Sequence, residues 1–179
     1  MTSRRLLAWC LLAVWTVWAV ALQSLLTADA APNLTWVPQM APVIFLALAS
    51  RLDTRDLPIA ALVVALARAA CGLEPPASVL FGLLVLAGFV RVLRGVLELD
   101  GPATRAVLAG LTGLALACWF DLVHTMRLGF PPGQGLATVA WHTFLPTALA
   151  TALAALLLAP AIRRLPGLSP LWERRKSAW

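Results

Sequence analysis

Four side chains of chemically capable types sit inside apolar runs of this sequence: Arg68, Asp121, His124 and His142. A full charge at membrane depth costs on the order of 3 kcal/mol, so such a residue faces a protein interior or a polar pocket and takes a partner. Arg68 with Asp121 is the most economical pair. Glu74 is six residues beyond Arg68 and does not align with it on one helix face. Asp121 and His124 are three apart and share a face. Three chemistries are open to the group: an ion pair joining two helices, a polar pocket, or a proton or ion relay using the two histidines. Two histidines and one acid are possible metal ligands, but their spacing matches no metal motif. No nucleophile stands with a base and positioning groups, and no glycine-rich loop suits phosphate. The residues therefore predict no catalytic residue, no cofactor, no metal and no enzyme.

The elements that hold these residues follow from composition. Of 179 residues, 61% are hydrophobic and 12% charged, against roughly half and a quarter in soluble domains. This predicts an all-α membrane protein, one integral membrane domain over residues 1–179. The formal net charge of +6 is read by position along a membrane topology rather than as a nucleic-acid footprint. Cys10, Cys71 and Cys118 lie in apolar runs without ligand spacing, and are expected as small buried hydrophobes.

Runs long enough for about 30 Å of hydrocarbon, or bounded by polar connectors, predict six spans: residues 6–26, 34–50, 57–73, 77–90, 106–124 and 136–162. Pro38 and Pro42 predict an irregular start to the second. Residues 163–179 form a basic tail suited to anionic lipid. With the N-terminus cytoplasmic, 12 of the 14 basic residues fall inside, Arg127 falls outside and Arg68 lies within a span. That bias predicts a six-span transmembrane helical bundle with N and C termini cytoplasmic. The same orientation puts Arg68, Asp121, His124 and His142 in the outer half. A cleaved signal peptide ending near Ala28-Asp-Ala30 is the rival for the first span, although its apolar run is long for that role. Gly110 and Gly113, then Ala148, Ala152 and Ala155, recur at helical spacing and predict close helix packing.

With that plan laid out, the chain resembles the MreD family of rod-shape-determining membrane proteins. Pro32-Asn33 enters span two where that family commonly carries an Arg/Ala-Pro-Asp/Asn step. Ala69-Ala-Cys-Gly72 makes a small-residue corner, with Gly72 at the corner glycine. Arg91-Val-Leu-Arg94 is the basic stretch after span four, and Ala161-Ile-Arg163-Arg164 the basic end of span six. Arg68 stands near where the family usually carries Asp. The resemblance covers roughly residues 32–164. It implies a non-enzymatic scaffold of bacterial cell elongation in the cytoplasmic (inner) membrane. Such a scaffold binds MreC, and through it the peptidoglycan synthases and the MreB cytoskeleton, with no nucleic acid. The alternatives are the substrate-binding S component of an energy-coupling-factor vitamin transporter, or a polytopic membrane protein of neither kind. Against the S component, span one lacks the Ala-x-x-x-Ala docking pattern: Ala8, Ala13, Ala19 and Ala21 include no pair four apart.

Overall fold

The computed structural model describes residues 3–28, 36–71, 75–93, 101–128 and 144–171. Among them the secondary structure is entirely helical: α1 (Ser3–Ala28), α2 (Met40–Ala49), α3 (Leu57–Cys71), α4 (Pro76–Leu93), α5 (Pro102–Leu128), α6 (Leu145–Ile162) and a short 3-10 turn (Ser169–Leu171). Proline sets several starts. Pro76 and Pro102 open α4 and α5, and Pro146 falls in the first turn of α6. The missing N–H costs nothing where a helix has no acceptor to offer. Helices α4 and α5 therefore begin earlier than the apolar runs alone suggest. The first part of predicted span six, residues 136–143, lies outside the described residues, and α6 is seen from Leu145.

Length divides the helices. Those at α1, α4, α5 and α6 are long and apolar enough to cross a membrane; α2 and α3 are apolar but shorter. At about 1.5 Å per residue, the 10 residues of α2 reach about half of a hydrocarbon core. Every residue from Ala41 to Ala49 is buried, as expected of a helix apolar on all sides. Helix α2 packs against α1, α3, α5 and α6 and is the hub of the bundle. The longer helices turn large apolar side chains outward instead, among them Trp18, Leu157 and Val92. That surface suits lipid.

The start of α2 shows how a short helix is held at depth. A helix leaves its first N–H groups without internal acceptors. Here the Gln39 N–H donates to Thr151 Oγ1 of α6 at 3.0 Å, and the Met40 N–H donates to Gln23 Oε1 of α1 at 3.0 Å. Pro42, in the first turn, has no N–H to place. The expected irregular start is present: residues 36–39 are non-helical and α2 begins at Met40. Irregular backbone at such depth is tolerated where neighbouring protein satisfies it.

The small residues of α5 and α6 meet. A Cβ added at Gly110 would lie 3.2 Å from Ala152 Cβ, and one at Gly113 would lie 3.1 Å from the Thr151 side chain. Close backbone approach of this kind replaces the hydrophobic drive that lipid removes. After α6 the chain turns through Gly167, whose φ of 84° favours glycine; a Cβ there would run into Leu11. This returns Leu168 and Leu171, both buried, to the side of α1.

Candidate functional site

Two polar clusters lie at opposite ends of the bundle. At the basic end, Arg5 of α1 pairs with Asp56, both largely buried. Asp56 also starts α3: its carbonyl accepts the Ala60 N–H at 2.9 Å. At the same end Arg163, just past α6, donates to the Ala47 carbonyl at 3.2 Å and to Ser50 Oγ at 2.5 Å. These bonds gather the N-terminus of α1, the α2–α3 connection and the C-terminus of α6. Arg51 and Arg55 lie in that connection and are exposed. Arg5 and Asp56 thus form an ion pair that charge spacing along the chain did not suggest.

Arg68 lies towards the other end. It is buried near the C-terminus of α3, and its guanidinium carbon sits 4.6 Å from the centroid of the Phe120 ring of α5. A cation over an aromatic face is an attractive contact, stronger where water is excluded. Asp121 follows Phe120 and is half-buried, while His124 is exposed. The structure therefore places Arg68, Asp121 and His124 at one end and brings Arg68 onto the residue beside Asp121. His142, Pro32, Asn33, Gly72 and Glu74 lie outside the described residues. Among the described residues, no three His, Cys, Asp or Glu side chains come together to hold a metal ion.

The cysteines correct one expectation. Cys10 and Cys118 are exposed and Cys71 is partly so. An apolar run in a membrane protein has two apolar destinations, core and lipid, and these two thiols take the second.

Two apolar grooves open on the flanks. One, of about 550 Å³, runs between α1 and α6 with α2 as its floor, and its walls include Trp15, Trp18, Trp36, Leu22, Ile44 and Leu165. Among the described residues no extensive α1–α6 contact closes this side. The other, of about 420 Å³, lies between α4 and α5 and is lined in part by Phe81, Val85, Phe89, Gly82, Thr112 and Ala115. Here α4 and α5 run antiparallel and touch mainly near one end. Trp119 Nε1 donates to the Ser78 carbonyl at 3.1 Å, and the Phe81 and Trp119 rings are 5.1 Å apart. Gly88, on the exposed side of α4, has open space where a Cβ would stand. Neither groove was predicted. The tryptophans of span one and the prolines of span two were the available signals for the first.

Fold and surface define a helical multi-pass membrane protein, on four helices long and apolar enough to cross a bilayer. No family model matches the chain, no curated protein is significantly similar to it, and no solved structure matches it significantly.

Proposed function

We propose that the protein is a non-enzymatic scaffold of a bacterial cytoplasmic membrane, and that the cleft between α4 and α5 receives the single membrane span of a partner. The observation that carries this reading is the cleft. Two membrane-length helices diverge along a lining that includes Thr112 and Ala115, and Gly88 has open space on the exposed side of α4. Small residues let a third helix approach closely where lipid gives no hydrophobic drive. In this reading the chain crosses the membrane six times, with both termini and the basic end cytoplasmic. The gathering of Arg5, Arg51, Arg55 and Arg163 near one end fits that orientation. The sequence resemblance makes MreC the partner and cell elongation with peptidoglycan synthesis the process.

Co-purification of the tagged full chain from mildly solubilised native membranes tests this. MreC with wall synthases is the expected eluate. An ATPase pair with its coupling subunit, and no MreC, would overturn the scaffold reading in favour of a transporter component.

A further inference from the structure

The groove between α1 and α6 is roomier than the cleft and has α2 as its floor. Its lining holds three tryptophans, no charged side chain, and one polar side chain, Gln23, whose Oε1 already accepts the Met40 N–H. Trp15, Trp18 and Trp36 form part of the wall, beside Ala19 and Ala161. A flexible alkyl chain needs only apolar walls. The volume of about 550 Å³ falls within the roughly 300–1,000 Å³ of small-molecule sites. One end of the groove is formed by Ile162 and Leu165, which bracket Arg163 and Arg164 in sequence. Arg164 is exposed, and the Arg163 guanidinium is bonded to the end of α2, the helix that floors the groove. An apolar trough ending beside cationic side chains is complementary to an anionic amphiphile.

We propose that this groove is a binding site for one anionic phospholipid, with an acyl chain along the tryptophan-lined trough and the phosphate at Arg164. This lipid site is independent of the scaffold reading. Here α2 acts as a fixed floor: its buried position and the Gln23 and Thr151 bonds keep the trough open.

The test reconstitutes the full chain in vesicles of phosphatidylcholine doped with phosphatidylglycerol and reads retained lipid by native mass spectrometry. The wild type is expected to retain one phospholipid, with phosphatidylglycerol preferred. Ala161→Trp, at an exposed lining position, should abolish retention of both lipids. Arg164→Gln, a substitution at an exposed site that leaves the trough intact, should keep retention but reduce the preference for phosphatidylglycerol about fivefold, the factor one basic residue near an anionic membrane surface supplies. Equal retention by wild type and Ala161→Trp, an unchanged preference in Arg164→Gln, or a protein chain in place of lipid would each overturn the proposal.

Discussion

The α1–α6 groove and the α4–α5 cleft are both apolar, yet their floors and walls differ. The groove stands on α2, a helix buried from Ala41 to Ala49 and packed on four neighbours, and its walls set three tryptophans among Ala19, Ala161 and larger aliphatic side chains. Among the described residues the cleft is lined by α4 and α5 alone, and its walls mix Phe81, Phe89 and Trp119 with Gly82 and Ala115. In a membrane, hydropathy does not separate a protein contact from a lipid contact, because lipid tails are as apolar as leucine. Each lining carries three aromatic and two small residues, so what separates the two is the floor and the neighbouring charge: the groove rests on α2 and ends beside Arg163, which is bonded to the end of α2, and the cleft opens between two membrane-length helices.

That contrast can be broken from several directions. The largest effect is expected from Gly113→Val. The new side chain must displace Thr151, 3.1 Å from the ideal Cβ, and Thr151 accepts the Gln39 N–H. Overpacking of this kind costs about 1–3 kcal/mol, seen as a lowered thermal unfolding midpoint in detergent. Helix α2 and the groove above it should loosen together. Gln23→Leu is next. It strands the Met40 N–H at depth, and membrane hydrogen bonds are worth about 0.6–2 kcal/mol. Lipid retention should fall, while partner recovery through the distant cleft should not. If both fall equally, the two flanks are not independent.

Arg5→Gln and Asp56→Asn test the clamp at the basic end. Each single change should cost about 1 kcal/mol, and the double variant should be more stable than the sum of the two losses implies. Strict additivity in thermal unfolding would mean that the pair contributes nothing. The smallest effect is expected from Arg68→Lys. It keeps a cation over the Phe120 ring and loses only the planar stacking of the guanidinium, a loss of about 0.5–1 kcal/mol. Double-variant cycles of Arg68 with Phe120, and separately with Asp121, distinguish the ring contact from the ion pair that the sequence suggests. Coupling larger with Asp121 than with Phe120 would make the charge pair the main tie.

Much of the scaffold was readable from the sequence. Uninterrupted apolar runs locate α1, α4, α5 and most of α6, because length against bilayer thickness is a strong constraint. Pro38 and Pro42 predict the irregular start of α2, and Gly110 and Gly113 predict the seam with α6. Three features were hidden, each for a physical reason. Helix α2 is a ten-residue helix at the centre of the bundle, and a local apolar run does not reveal whether protein or lipid surrounds it. The Arg5–Asp56 pair joins residues 51 apart, and spacing along a chain carries no information about such contacts. The exposed thiols and the two grooves depend on which face of each helix meets lipid, and weak amphipathicity leaves that face unmarked. Of the expected polar group, the common end of Arg68, Asp121 and His124 followed from topology. The packing of Arg68 on Phe120 required the tertiary structure.

The most direct test of the contrast is site-specific photo-crosslinking in native membranes, with benzoylphenylalanine introduced in place of Val85 in the cleft or, separately, Leu158 in the groove. The account predicts that position 85 captures a single-span protein, MreC by the resemblance, and that position 158 captures lipid and no protein. Protein capture at 158 with none at 85 would contradict it and exchange the roles of the two surfaces.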